Sequence, residues 1–226
     1  MKTFVLLIVA TFLMALPASA DTLTFAGAAD CANSTDGIGA SQVCLNNDYI
    51  NQAYGDTATV NVTYKDLTTG NSLQWWLGDY NDLTGVVWGG SGDAAGQSWN
   101  RIELLPDAGY SVMLSKFDMG AWYQSTMDTH LRILELGTDQ VLLDYGIATI
   151  GDGSSTHSSF APGISSKNGL AIEWRDSAYD VGIDNIEFSA EHSAQQRQTN
   201  AVPEPISLVL SAIGVSACAL LKRKQS

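Results

Sequence analysis

Period-two alternation is the feature that most constrains this chain. In "TATVNVTY" Val60, Val62 and Tyr64 fall on one face; in "SWNRIELLP" Ile102 and Leu104 do; in "GYSVMLSKF" Tyr110, Val112 and Leu114 do. "HLRILEL" sets Leu131 with Ile133, and "GLAIEW" sets Leu170 with Ile172 and Trp174. Successive side chains of a strand point to opposite faces, so each run can bury one face and wet the other. The runs are short and bounded by Gly, Asp, Asn and Ser, while helical periodicity is nearly absent. Such a series predicts an all-β fold, an antiparallel β-sandwich. "QVLLDYG" adds a further strand. "VGIDNIEFS" carries Val181 and Ile183 in one phase but Ile186 and Phe188 in the other, which predicts a β-bulge at Asp184-Asn185. Residues 30–51 and 151–167 read as two long loops.

The two ends differ from this middle. Lys2, an apolar stretch over residues 4–16 and the small-residue site Ala18-Ser19-Ala20 are the three parts of a secretory signal peptide. Residues 1–20 are assigned to it, 21–189 to the sandwich and 190–201 to a polar linker. At the other end, residues 206–221 are uncharged and mostly apolar. As a helix they would reach roughly 24 Å, short of the roughly 30 Å hydrocarbon core of a bilayer. Lys222, Arg223 and Lys224 follow and resist translocation, so the segment predicts a short transmembrane helix with the sandwich outside.

Charge and cysteines agree with export. Four of the 11 basic residues (Lys2, Lys222, Arg223, Lys224) lie in the terminal segments, and all 24 acidic residues lie between Asp21 and Pro205. The exported part therefore holds seven basic and 24 acidic side chains, a net charge of −17. That excess excludes nucleic acid and anionic lipid as partners of the ectodomain, since both need a basic surface. Cys218 is inside the apolar tail, which leaves Cys31 and Cys44 as a pair in an oxidising compartment. A disulfide between them is expected, stabilising by about 3 kcal/mol in the chain-entropy view.

Residues 202–226 resemble a PEP-CTERM protein-sorting domain: Val202-Pro203-Glu204-Pro205, then the short apolar helix, then Lys222-Arg223-Lys224 at the chain end. The resemblance implies a Gram-negative bacterium, an exosortase that recognises the Pro-Glu-Pro region, and an association with exopolysaccharide or biofilm matrix. The protein would be held transiently at the inner membrane and then pass to the cell surface or extracellular matrix. Pro203 and Pro205 themselves disfavour helix before them, keeping the cleavable link extended. A second resemblance rests on "RIELLPDAGYSVMLSKFDMGAW" and "VGIDNIEFS", which look like the jelly-roll ectodomains of PEP-CTERM proteins and, in layout, galactose-binding-like carbohydrate-binding modules. It implies a jelly-roll-like sandwich over residues 101–189.

Of the six tryptophans, Trp174 is in phase with core residues, and adjacent Trp75 and Trp76 must face opposite ways. Trp76, Trp88 and Trp122, with Tyr123, are the candidate sugar platforms, because indole faces stack on the C–H faces of pyranose rings. Asp79, Asn81, Asp82, Asp180 and Asp184 are candidate ligands for a structural Ca²⁺, being hard oxygen donors in turn-rich sequence, although such residues equally form turns. No metalloprotease, nucleophile-elbow or EF-hand motif is present, and no pair of carboxylates stands out. The sequence therefore points to a non-catalytic surface or matrix protein whose sandwich binds polysaccharide. Its alternatives are a structural matrix component without a ligand and a polysaccharide-degrading enzyme.

The tail yields the first prediction. A C-terminal epitope tag should be absent from the mature surface protein and retained in a Glu204→Ala variant, whose precursor accumulates in membranes. Retention of the tag by mature wild-type protein would make the segment an ordinary anchor.

Overall fold

The structure, a computed structural model, describes residues 20–27, 29–89, 99–175 and 180–193. The sorting residues Val202, Pro203, Glu204, Pro205, Lys222, Arg223 and Lys224, and all of the signal peptide but Ala20, lie outside the described residues. The chain divides into two units, Met1–Glu191 and His192–Ser226, and the strands belong to the first up to the end of the last strand.

In chain order the strands are β1 (Asp21–Leu23), β2 (Asp30–Ala32), β3 (Ser41–Val43), β4 (Tyr49–Ile50), β5 (Val60–Asp66), β6 (Gln74–Trp76), β7 (Val86–Trp88) and β8 (Asn100–Pro106), then β9 (Tyr110–Ala121), β10 (Met127–Glu135), β11 (Gln140–Ile150), β12 (Ser158–Phe160), β13 (Ile164–Ser166), β14 (Leu170–Arg175) and β15 (Val181–His192). They form two antiparallel sheets. The larger runs β12-β9-β15-β7-β6-β4-β2-β3, with β1 also against β15 and β13 against β9; the smaller runs β11-β10-β14-β8-β5. The fold is all-β and sandwich-like.

Alternation explains the packing. β5 buries Val60, Val62 and Tyr64; β8 buries Ile102 and Leu104; β14 buries Leu170, Ile172 and Trp174. These side chains from the smaller sheet share one apolar core with Val112, Leu114, Val181 and Ile183 from the larger. Trp174 is wholly buried, and its indole N–H donates to the Val181 carbonyl at 3.2 Å. The phase change in β15 is present. Ile183 and Ile186, three residues apart, both enter the core, and Asn185 between them has φ +51°.

The expected long loops need correction. Residues 30–51 contain β2, β3 and β4, and residues 151–167 contain β12 and β13. Strands of two or three residues are too short to display an alternation, and their partners are distant in sequence. β15 also continues through Ala190 to His192, residues assigned above to the linker. Cys31 on β2 and Cys44 just beyond β3 are joined by a disulfide, with Cα atoms 5.0 Å apart.

The outer face of the smaller sheet carries a buried charge. Glu173 on β14 is completely enclosed, yet it lies on the face opposite Ile172 and Trp174. Arg101, its neighbour on β8, donates to one carboxylate oxygen (Nε–Oε1 2.6 Å), and Arg132, its neighbour on β10, to the other (Nε–Oε2 2.7 Å). The guanidinium of Arg132 also stacks 4.0 Å from the centre of the Trp99 ring, and that of Arg175 4.4 Å from it. A buried carboxylate is tolerable only when fully paired and hydrogen-bonded. Glu173→Ala would strip Arg132 of its counter-ion and leave Arg101 only its contacts to Glu103 and Asp139 at 3.3 Å, and urea unfolding should show a loss of roughly 3–5 kcal/mol. A loss below about 1 kcal/mol would mean the cluster contributes little.

Candidate functional site: an aromatic cleft on the larger sheet

β6 and β7 each present one side chain inward and its neighbours outward. Trp75 and Val87 enter the shared core, and the Trp75 N–H is taken up by the Phe25 carbonyl at 2.8 Å. Trp76, Val86 and Trp88 therefore stand on the outer face. There they join a second apolar cluster with Tyr80, Leu83 and Trp122. Trp76, Tyr80, Trp88 and Trp122, with Asn47 beside them, line one open cleft of about 330 Å³. Trp76 meets Trp122 edge to face, with centroids 4.9 Å apart at 87°, and Tyr80 lies 5.1 Å from Trp122. All three tryptophans singled out from sequence thus converge here. Tyr123 does not line the cleft; it is 79% exposed beside it, 6.5 Å from Trp122.

Backbone geometry builds the cleft. Tyr80 sits between Asp79 (φ +63°) and Asn81 (φ +52°), and Trp122 is followed by Tyr123 (φ +59°) and Gln124 (φ +54°). Left-handed φ at non-glycine residues, above all at a bulky Tyr, persists only where surroundings enforce it. The enforcement is visible. Asn81 Oδ1 accepts the Ala121 N–H at 2.6 Å, and its Nδ2 donates to the Ser125 carbonyl at 3.2 Å. The Trp122 N–H donates to the Asp180 carbonyl and the Tyr123 N–H to the Asp79 carbonyl, both at 2.7 Å. Two glycines give Tyr80 its room: a Cβ at Gly120 would sit 2.4 Å from the Tyr80 carbonyl oxygen, and one at Gly182 would sit 2.6 Å from Val86 Cγ2.

The indole groups differ in one respect. Trp75 and Trp174, in the core, spend their N–H on backbone carbonyls. The Trp76 N–H in the cleft wall is enclosed and makes no hydrogen bond. A buried donor without an acceptor costs about 1–3 kcal/mol.

Of the five expected metal ligands, Asn81, Asp82 and Asp184 make side-chain hydrogen bonds within the protein. Asn81 is occupied by backbone, as above. Asp82 Oδ1 accepts from the backbone N–H of His157 at 2.9 Å and contacts its Nδ1 at 2.7 Å. Asp184 accepts the Phe25 N–H at 2.7 Å, and burial still pushes its carboxyl above the ordinary range. The backbone carbonyls of Asp79 and Asp180 accept the backbone N–H groups of Tyr123 and Trp122. Among the described residues there is no group of three or more His, Cys, Asp or Glu that could hold a metal ion.

Sequence reading missed a polar cluster on the same outer face. Asp118 on β9 is buried and accepts hydrogen bonds from Ser159 Oγ (2.6 Å), Asn185 Nδ2 (3.0 Å) and Lys116 Nζ (3.2 Å), with His157 Nε2 at 3.6 Å. The only signal in the sequence was Asp118's place in a strand otherwise rich in apolar residues. The chain matches no family model and no curated protein sequence.

Burial alone would raise the Asp118 carboxyl, but the hydrogen bonds from Ser159, Asn185 and Lys116 outweigh it and hold it below its ordinary 3.8. A depressed folded pKa contributes stability above the ordinary value, lost as pH falls through the folded one. Asp118→Asn should therefore destabilise by roughly 1–3 kcal/mol at pH 7. It should also flatten the decline in thermal midpoint below about pH 4. An acid decline identical to wild type would show that Asp118 contributes nothing to it.

Proposed function

We propose that this is an exported, non-catalytic protein of the cell surface or extracellular matrix whose sandwich binds polysaccharide in the aromatic cleft. One observation carries the reading: Trp76, Tyr80 and Trp88, from one short stretch of the chain, and Trp122, distant in sequence, line a common open cleft. Aromatic faces supply large contact area for the apolar faces of sugar rings. The left-handed residues around the rim are where a fold stores strain for recognition.

The address in this reading comes from the chain ends. A signal peptide cut after Ala20 would leave a chain starting at Asp21, the first residue of β1, so every described strand survives cleavage. The tail would be handled as a PEP-CTERM signal, held in the membrane by residues 206–221 until an exosortase acts at Pro203-Glu204-Pro205. The finer architecture in the same proposal is a jelly roll, supported by neighbours far apart in the chain such as β9 beside β15 and β8 beside β14.

Retention on insoluble polysaccharides tests the function. Trp122→Ala should reduce retention at least about tenfold while far-ultraviolet dichroism and cooperative unfolding persist, because the ring is only partly buried. Loss of the fold would place Trp122 among structural residues. Unchanged retention, or none by wild type, would favour a matrix component without a ligand. Release of reducing ends from the polysaccharide would favour the enzyme.

A further inference from the structure

The lining of the aromatic cleft is uneven in its chemistry. Four rings, those of Trp76, Tyr80, Trp88 and Trp122, share it with a single non-aromatic side chain, Asn47, and none of the five is charged. Trp76 and Trp122 stand at 87° to each other, so they form a corner and not a flat platform. A corner encloses a small projecting group on two sides, where a flat ring supports only another flat face. Exposed apolar side chains adjoin these rings in the chain: Leu77 follows Trp76 and is 52% exposed, and Tyr123 follows Trp122.

Asn47 is presented to the cleft by a fixed loop. Its backbone N–H donates to the Trp75 carbonyl at 2.9 Å, and its carbonyl accepts from Gln74 Nε2 at 3.0 Å. Asp48 beside it accepts the Leu45 N–H on its carboxylate and the Trp75 N–H on its carbonyl, both at 2.8 Å. The backbone of Asn47 is thus engaged, while its side-chain amide makes no hydrogen bond among the described residues. That amide is both a donor and an acceptor. Asn81 and Asp82, which follow Tyr80, are taken up by Ala121, Ser125 and His157.

A plain hexose fits this lining poorly. Its rim of hydroxyls needs more partners than one amide supplies, and a covered hydroxyl loses its bonds to water. Charged sugars fit no better, since the lining holds no counter-ion for a carboxylate or an ammonium group. An acetamido group matches it, with a methyl for the rings and an amide for Asn47. We propose that the cleft takes an N-acetylated hexosamine unit, its acetyl methyl lodged in the corner of Trp76 and Trp122 and its acetamido group bonded to the Asn47 amide. This rests on the polysaccharide reading above and narrows it from sugars in general to polymers rich in N-acetylhexosamine.

Tryptophan fluorescence titrations of the purified protein at about pH 6 test it, with three tetramers that share one linkage: an N-acetylglucosamine tetramer, a glucosamine tetramer and cellotetraose. The N-acetylglucosamine tetramer should bind at least about tenfold more tightly than the other two, a factor of roughly four from the buried methyl and the rest from one amide hydrogen bond. Asn47→Gly removes the amide and suits the left-handed backbone at that position, φ +75°. It should reduce the preference at least about threefold while cooperative unfolding persists. Asn47→Asp, which keeps the shape and loses the donor, should do likewise. Equal or tighter binding of cellotetraose or the glucosamine tetramer by wild type would overturn the acetamido assignment and leave the polysaccharide reading standing. Binding of none of the three by a protein still retained on insoluble polysaccharide would do the same, and absence of both would remove both readings. A preference that both Asn47 variants leave intact would overturn the role of Asn47.

Discussion

Two sheets bury one face each against a single core, and every other property of the molecule is constrained by that arrangement. A strand that gives its even residues to the core must give its odd residues to the outside. Trp75 and Trp76, or Ile172 and Glu173, are adjacent in sequence and serve opposite faces. The core they share is lined mainly by apolar side chains. What remains available for recognition is whatever the outer faces carry, and the two outer faces are built on different principles.

On the smaller sheet the outer face is closed by ion pairs. Glu173 is sealed under Arg101 and Arg132, and Trp99 is covered by two guanidinium groups. Burial would raise the Glu103 carboxyl, but bonds from Lys65 and Thr63 outweigh it and keep the charge engaged. Cations and anions there satisfy one another. On the larger sheet the aromatic cluster around Tyr80 is open on one side, and its indole N–H at Trp76 is unfilled. The difference between a self-satisfied surface and one with open valences separates a structural face from a candidate binding face.

Much of this was legible in the sequence where residues decide their own environment. β5, β8, β10 and β14 follow from alternation, and the opposition of Trp75 and Trp76 follows from the pleat. The short strands β2, β3, β4, β12 and β13 did not, because a two- or three-residue strand is defined by its partner and not by its own pattern. Trp122 was a candidate on composition, but its meeting with Trp76 depends on a long-range pairing of Tyr80 with Trp122 that no local signal encodes. Asn81 and Asp82 illustrate the converse. Their residue types suit a cation, yet the structure uses them to tie loops together. Glu173 gave no hint of burial, since a glutamate on the polar phase of a strand ordinarily points into water.

The position of β15 bears on how the chain reaches this state. It is the last strand, yet it is inserted between β9 and β7 and is also the partner of β1. Asp21 pairs with Phe188, so the first strand finds its place only through nearly the last residues of the sandwich. A chain delivered from its N-terminus therefore cannot complete the larger sheet until residue 188 has emerged. The loop that must close is almost the full length of the domain, and such non-local pairings are slow to form. The larger sheet is therefore the last part of the fold to close.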